Sequence, residues 1–165
     1  MICTMDTPNL LYRPNVCMLV FNQEKKLFLG ERFGEPNHWQ FPQGGVEPNL
    51  TLEENVLKEL KEELGATKES FRIIKRLNTT FKYEWVTPPK YATDKWKGQE
   101  QTFWLVEYLG NNEELNLERY EQEFMSYRWC DINQVKTMAY PRRLKGYLPA
   151  LAEYEQFLEE HKRVI

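Results

Sequence analysis

The chain has 165 residues, of which 41% are hydrophobic and 14% aromatic, and its formal net charge is −3. This length is sufficient for one domain with a substantial core, so we expect a single domain covering residues 1–165. The acidic balance argues against a protein that coats long nucleic acids, because nonspecific binding to a duplex depends on many basic residues.

The cysteines and the hydropathy pattern exclude further classes of protein. Three cysteines, Cys3, Cys17 and Cys130, are widely spaced and form no Cys-x-x-Cys pair of the kind found in zinc sites and redox motifs. No apolar run approaches the length of a membrane-spanning helix, and the first residues lack the layout of a secretory signal. We therefore expect a cytoplasmic protein without membrane contact.

The first predicted elements are a β-hairpin and a short strand. Residues 1–11 are expected to form a flexible arm, and the apolar run over 16–21 predicts a buried strand. A turn then leads to a second strand over 27–29. After a loop, a short strand over 39–41 is followed by Pro42 and by the pair Gly44 and Gly45. Backbone freedom is therefore concentrated just before the next element.

That next element is an amphipathic helix with well-marked ends. Thr51 and Glu54 have the spacing of a capping box, and Gly65 is a typical C-terminal residue. Apolar residues recur at every fourth position, at Leu52, Val56, Leu60 and Leu64. Because this stripe must face the core, the acidic residues between its members are expected on a flank that lines a cleft.

The remaining segments predict more strands and two helices. Strand-like residues occupy 71–76, 80–86, 102–108 and 127–130. A loop is predicted over 91–101. Asp131 is expected to cap a short helix that runs through Val135, and Pro149 is expected in the first turn of a final helix. The order of elements predicts an α/β (α+β) fold, in which a mixed sheet carries helices on its faces.

Three carboxylates on the predicted helix form its most informative pattern. Glu59, Glu62 and Glu63 stand at i, i+3 and i+4, which brings them onto one helical face. Like charges this close repel one another unless a cation lies among them, so the spacing indicates a divalent metal site. The alternative is a solvated, salt-bridged helix face, because other acidic residues and two lysines lie nearby.

The region around these carboxylates resembles the signature of the Nudix hydrolase family, Gly-x5-Glu-x7-Arg-Glu-aliphatic-x-Glu-Glu-x-Gly-aliphatic. Counting from Gly44, the spacing is kept throughout. Leu50 stands where the family has Glu, and Lys58 stands where it has Arg. A lysine provides a point charge but not the bidentate donors of an arginine.

Segments outside the signature resemble one subgroup, the RNA pyrophosphohydrolases and the bacterial and plant dinucleoside polyphosphate hydrolases. The similar segments are residues 12–16, 39–45, 96–101, 123–124 and 128–129. The resemblance implies the Nudix fold, with a mixed sheet sandwiched between helices and a catalytic helix after a Gly-rich loop.

The resemblance also implies a set of site residues. The metal ligands would be the carboxylates Glu59, Glu62, Glu63 and Glu123 and the carbonyl of Gly44. The ion would be Mg²⁺, with Mn²⁺ as a substitute, and these carboxylates together with Lys58 would form the catalytic set. Either Glu63 or Glu123 would act as general base. Contacts to the phosphates or the base would come from Arg13, Arg32, Gln43, Lys82, Tyr83, Gln99 and Gln101.

Three hypotheses for the function follow. The first is a metal-dependent pyrophosphohydrolase that cleaves diadenosine tetraphosphate to ATP and AMP, or removes pyrophosphate from triphosphorylated RNA 5′ ends. The acidic balance and the segment over 96–99 favour the dinucleotide. The second is a Nudix hydrolase of another nucleoside diphosphate derivative. The third is a nucleotide-binding module with weakened catalysis, which the residues Leu50 and Lys58 suggest.

Overall fold

The computed structural model describes residues 10–92 and 94–162, so most of the expected N-terminal arm and Cys3 lie outside the described residues. The strands are β1 (Leu11–Phe21), β2 (Leu27–Arg32), β3 (Trp39–Gln40), β4 (Gln43–Gly45), β5 (Phe71–Glu84), β6 (Trp96–Tyr108) and β7 (Phe124–Cys130). The helices are α1 (Leu52–Leu64), α2 (Ile132–Met138) and α3 (Pro141–Lys162), and short 3₁₀ turns occupy Lys68–Ser70, Lys90–Ala92 and Asn112–Glu114.

The described strands form one mixed sheet. Its main path runs β3-β2-β1-β6-β5, while β4 pairs with β1 and β7 pairs with β2. The central pair β1 and β6 is parallel, and β5 runs antiparallel to β6. The predicted α+β class with a mixed sheet is therefore confirmed.

Strand β1 is buried on both faces, which explains its continuous apolar run. Cys17 and Leu19 face a core that includes Tyr147 and Leu151 of α3. The alternating residues Val16 and Met18 face a second core that includes the apolar stripe of α1. The sheet therefore lies between α1 on one face and α3 on the other.

The predicted ends of α1 are confirmed. The Thr51 hydroxyl accepts the Glu54 N–H at 3.0 Å, and the Glu54 carboxylate accepts the Thr51 N–H at 3.0 Å. Gly65 ends the helix with φ 77°, a left-handed conformation that favours glycine. These caps set the rotation and length of α1, and therefore the direction in which its carboxylates point.

Several predicted boundaries were wrong. The segments 71–76 and 80–86 belong to one strand, β5, whose pairing with β6 shifts register between Arg76 and Thr80. At that irregularity the Glu153 carboxylate of α3 accepts the N–H groups of Asn78 and Thr79, both at 2.8 Å. This contact between distant segments supports the bulge, and it has no local sequence signal.

The final helix also begins earlier than predicted, at Pro141, and Pro149 lies inside it. Pro149 is exposed, so solvent can satisfy the carbonyl that a proline leaves without its helical partner. Likewise, the second half of the predicted 91–101 loop is strand from Trp96 onward.

Among the described residues, no helix is both long enough and apolar enough to cross a membrane. Cys17 and Cys130 are free thiols buried in the core.

Candidate active site

Four predicted carboxylates line a single cavity of about 220 Å³. Glu59, Glu62 and Glu63 come from α1, and Glu123 comes from the segment that leads into β7. Tyr120 and Glu121 complete the lining. We call this space the carboxylate cavity. The sheet thus brings a glutamate from far along the chain to the acidic face of α1.

Glu63 is the most buried carboxylate of the set, with 3% of its surface exposed. Its Oε2 accepts the backbone N–H of Gln43 at 3.1 Å, which ties α1 to β4. Burial raises its pKa well above the ordinary value, and the charges of Glu59 and Glu123 raise it further. The buried, acidic surroundings therefore favour the protonated form of this side chain, and a bound cation would favour the charged form.

Glu59 lies against the Gly-rich strand β4. Burial raises the pKa of Glu59 to about 7, although the nearby ammonium of Lys58 lowers it. A Cβ atom at Gly44 would overlap the Glu59 carboxylate, so the Glu59 side chain takes this position only because residue 44 is glycine. Gly44, one of the predicted metal-contact positions, therefore lies directly beside one of the predicted metal-binding carboxylates.

Lys58 contacts three carboxylates. Its Nζ lies 2.9 Å from Oε1 of Glu62, 3.2 Å from Oε1 of Glu47 and 3.9 Å from Oε1 of Glu59. The lysine, which stands at the arginine position of the signature, therefore anchors carboxylates beside the cavity. Glu47, which sequence reasoning missed, supplies an acidic partner from the loop in which Leu50 replaces the signature glutamate.

Asn55 was also missed, although it organises the loop before α1. It is completely buried, and its Oδ1 accepts the Glu47 N–H at 2.8 Å. Its Nδ2 donates to the carbonyl oxygens of Glu47, Leu50 and Thr51, at 3.2, 3.4 and 2.9 Å. An asparagine on the buried side of a helix is the signal that could have identified it.

Glu123 is held by the loop between β2 and β3. Its carbonyl oxygen accepts the Phe33 N–H at 2.9 Å. Burial raises the pKa of its carboxyl group, against the lowering effect of Arg32. Arg32, predicted as a substrate contact, forms an ion pair with Glu35.

A second, larger cavity of about 680 Å³ lies beside the ends of β5 and α3. We call it the aromatic pocket. The predicted residues Tyr83 and Gln101 line it, together with Phe81. Sequence reasoning missed the other lining residues, which are His38, Glu84, Trp85, Val86, Thr87, Tyr140, Arg142 and Arg143. The adjacent arginines after Tyr140 were the available signal for a basic wall.

One wall of this pocket is a stacked pair of rings. His38 and Tyr140 have ring centroids 4.0 Å apart and an interplanar angle of 10°. Arg143 Nε donates to His38 Nε2 at 3.0 Å. Burial, together with the charge of Arg143, lowers the pKa of His38 to about 4. The ring is therefore neutral at pH 7, and its Nε2 accepts from the guanidinium.

The other predicted substrate residues divide into buried and surface positions. Gln99 is buried and Gln43 is partly buried, and both belong to a hydrogen-bonded amide network around Asn15. The Arg13 guanidinium lies 4.4 Å from the centroid of the Tyr91 ring. Lys82 Nζ lies 4.7 Å from the centroid of the Tyr12 ring and 3.9 Å from a Glu100 oxygen.

The donor set of the carboxylate cavity suits a hard divalent cation, because Mg²⁺ prefers carboxylate oxygens and retains water. In the described ranges, however, no group of three or more His, Cys, Asp or Glu side chains is already gathered as a metal site. Mutual repulsion and the Lys58–Glu62 ion pair are physical reasons for this spread. A cation would replace protons on the buried carboxylates and offset their repulsion.

Comparison with known proteins gives a consistent family. A family model described as the NUDIX domain matches residues 11–151. An RNA pyrophosphohydrolase of Orientia tsutsugamushi (strain Boryong) is 33% identical over 151 residues, covering 91% of this chain and 94% of that protein. One of Rickettsia canadensis (strain McKiel) is 30% identical over 158 residues, covering 94% and 95%.

Solved structures agree on the fold. A crystal structure of a C. elegans Ap4A hydrolase binary complex has a TM-score of 0.65 and 21% identity, covering 90% of this chain and 98% of that one. The E. coli dihydroneopterin triphosphate pyrophosphohydrolase has a TM-score of 0.67 and 16% identity, covering 91% and 99%.

Proposed function

The chain belongs to the Nudix family and is a hydrolase of phosphoanhydride bonds, and we propose that it removes pyrophosphate from triphosphorylated RNA 5′ ends with Mg²⁺ as its metal. Nudix hydrolases generally need divalent metal ions. One observation carries the proposal: a chain of hydrogen bonds links Glu63 of the carboxylate cavity to Tyr83 of the aromatic pocket. It runs from the backbone N–H of Gln43, which donates to Glu63, through the side chains of Gln43, Asn15 and Gln99. A phosphate chain and its nucleoside could therefore occupy adjacent sites.

In this proposal, the carboxylates of α1 and its neighbours bind the metal ions that contact the phosphates. Glu59, Glu62, Glu63 and Glu123 would hold Mg²⁺, with Gly44 offering its carbonyl and Mn²⁺ able to substitute. When bound, such ions neutralise phosphate oxygens and activate water. Lys58 orients Glu62. Either Glu63 or Glu123 would take the proton of the attacking water.

The aromatic pocket would hold the first nucleoside. Aromatic faces such as Tyr83 suit base stacking, and Arg142 and Arg143 bring positive charge for a following phosphodiester. These two arginines give the pocket a local positive charge that can bind RNA phosphates, although the net charge of the whole chain is negative. Together with the names of the relatives, this local charge reverses the preference for the dinucleotide drawn from the sequence.

Diadenosine tetraphosphate is the second candidate substrate. The aromatic pocket is large enough for one nucleoside. It would bind one nucleoside of the dinucleotide, and the second nucleoside would stay outside the pocket. The hypothesis of a binding module with weakened catalysis is less favoured. Although Lys58 stands in place of the signature arginine, it still contacts the carboxylates of Glu59 and Glu62. The proposed location is the cytoplasm, where thiols such as those of Cys17 and Cys130 remain reduced.

Parallel assays test the proposal. The protein is incubated with 5′-triphosphorylated RNA or diadenosine tetraphosphate, with Mg²⁺, with Mn²⁺ or with a chelator. We expect pyrophosphate release from RNA that stops with the chelator and exceeds cleavage of the dinucleotide. Faster cleavage of the dinucleotide would select the second candidate. Turnover of neither would overturn both.

A further inference from the structure

A buried network of side-chain amides lies between the two cavities, centred on Asn15. Asn15 is 2% exposed, and its strand β1 runs between β4 and β6. Its Nδ2 donates to Gln43 Oε1 at 2.7 Å and to Gln99 Oε1 at 3.0 Å, and its Oδ1 accepts from Gln101 Nε2 at 3.0 Å. Both hydrogens of the Asn15 amide are therefore used.

The network continues to Tyr83. Gln99 accepts from Asn15 through its oxygen, and its Nε2 donates to the Tyr83 hydroxyl at 2.5 Å. Because that hydroxyl oxygen already accepts a hydrogen bond, its own proton is left for another acceptor, and Tyr83 lines the aromatic pocket. Gln43 also accepts through its side-chain oxygen, which leaves the NH₂ group of this partly exposed side chain available as a donor, while its backbone N–H donates to Glu63.

The directions of the hydrogen bonds between these amide groups depend on one another. Turning over a single amide group would place two donors or two oxygens against each other, so the network changes direction only as a unit. With all the amides reversed, Asn15 would accept from Gln43 and Gln99, and Tyr83 would donate inward to Gln99. The described direction instead leaves donors facing outward at both Tyr83 and Gln43.

We propose that Asn15 is a positioning residue that sets this direction, so that the site offers hydrogen-bond donors to a substrate rich in acceptors. Phosphate oxygens accept hydrogen bonds, and so do purine ring nitrogens. Asn15 itself is too buried to touch a ligand and acts through Gln43, Gln99 and Tyr83. The inference rests on the proposed function, because it takes a nucleotide polyphosphate as the ligand.

The substitution Asn15→Asp tests it by reversing the direction. A carboxylate at this position can only accept, so Gln43 and Gln99 must turn their NH₂ groups inward, and Tyr83 then donates to Gln99. We expect KM for triphosphorylated RNA to rise about tenfold or more, since donors to the substrate are lost. Asn15→Leu imposes no direction and should raise KM less. Asn133→Asp, an exposed change of equal charge on α2, should leave KM unchanged.

A double substitution separates direction from general damage. Tyr83→Phe should raise KM about fivefold in the wild type, where the hydroxyl donates outward, and should have no effect in Asn15→Asp. Equal effects of Tyr83→Phe in both backgrounds would overturn the inference. So would a larger KM for Asn15→Leu than for Asn15→Asp, because this would indicate a purely structural role.

A measurement on the wild type covers the case in which Asn15→Asp does not fold. In the ¹⁵N-labelled protein, a methylene analogue of ATP should shift the side-chain NH₂ signals of Gln43, assigned by their loss in Gln43→Glu. Unchanged signals with the analogue bound would contradict the outward direction. If the wild type turns over neither substrate, the proposed function fails. If it is active and Asn15→Asp has the wild-type KM, only this inference fails.

Discussion

The carboxylate cavity and the aromatic pocket differ in size, charge and origin. The first, about 220 Å³, is acidic and takes three of its residues from one helix. The second, about 680 Å³, is lined mainly by aromatic and basic side chains, with a single carboxylate from Glu84, and its residues come from segments as far apart as His38 and Arg143. The first has the groups for proton transfer and metal binding, and the second has the surfaces for binding a nucleoside. Substitutions in the two places should therefore affect different kinetic constants.

The largest effect is expected from Glu63→Gln. The amide keeps the shape but loses the charge that a divalent ion or a transferred proton needs, so kcat should fall roughly a hundredfold to ten-thousandfold. KM should change little. Steady-state kinetics on triphosphorylated RNA measure both constants. Glu53→Gln, an exposed change on the same helix, is the matched control. Comparable turnover by the two variants would remove Glu63 from the catalytic set.

Arg143→Ala should act on the aromatic pocket alone. It removes a positive charge and the donor to His38, so KM should rise about tenfold while kcat stays close to the wild-type value. Arg72→Ala, near the opposite end of β5, removes an arginine paired with Glu107 and should change neither constant. A fall in kcat without a rise in KM would contradict the proposal that the aromatic pocket binds the nucleoside and the carboxylate cavity carries out the catalytic step.

Asn55→Ala tests the support of the carboxylate cavity. Four partly buried hydrogen bonds to the loop before α1 are lost, so the free energy of unfolding should fall by about 2 kcal/mol. Urea unfolding measures the change, with the exposed Asn133→Ala as control. Because Glu47 loses its support and Lys58 loses one of its three carboxylate partners, kcat should fall more than KM rises. An unchanged unfolding curve would mean that the loop does not depend on Asn55.

The pH dependence of stability should show the effect of the buried carboxylates Glu59 and Glu63. Burial raises the pKa of Glu59 to about 7 and that of Glu63 well above its ordinary value. The protonated forms of these two groups therefore contribute to the free energy of unfolding at low pH, and this contribution is lost as the pH rises. The reason is that the folded state must then hold charged carboxylates in a buried, acidic cavity. Without metal, the melting temperature should fall between pH 5.5 and 8.

Mg²⁺ sharpens that test, since it binds the deprotonated groups. Its stabilising effect on the melting temperature should be larger at pH 8 than at pH 5.5, and Glu59→Gln should reduce the difference. Calorimetric scans at both pH values measure the effect. A stabilisation by Mg²⁺ that is independent of pH would separate the metal from these carboxylates.

The elements recovered from sequence were those with local rules. The capping box at Thr51 and the glycine at position 65 follow from short-range hydrogen bonds, and both were confirmed. The start of α3 was missed because Pro149 also suits a first turn, whereas Pro141 is the residue used. Strand β5 was divided in two because its bulge depends on Glu153, more than seventy residues away.

The sequence by itself determined the acidic face of α1, because helical periodicity alone places residues at i, i+3 and i+4 side by side. It also determined the strand buried on both faces, through the continuous apolar run of β1. The family resemblance named Glu123, but only the tertiary structure shows the contact that brings it to this face. Only the tertiary structure decided that His38 meets Arg143 and that Asn15 joins three glutamines. Those contacts depend on strand register and on the packing of α3, which no short stretch of sequence specifies.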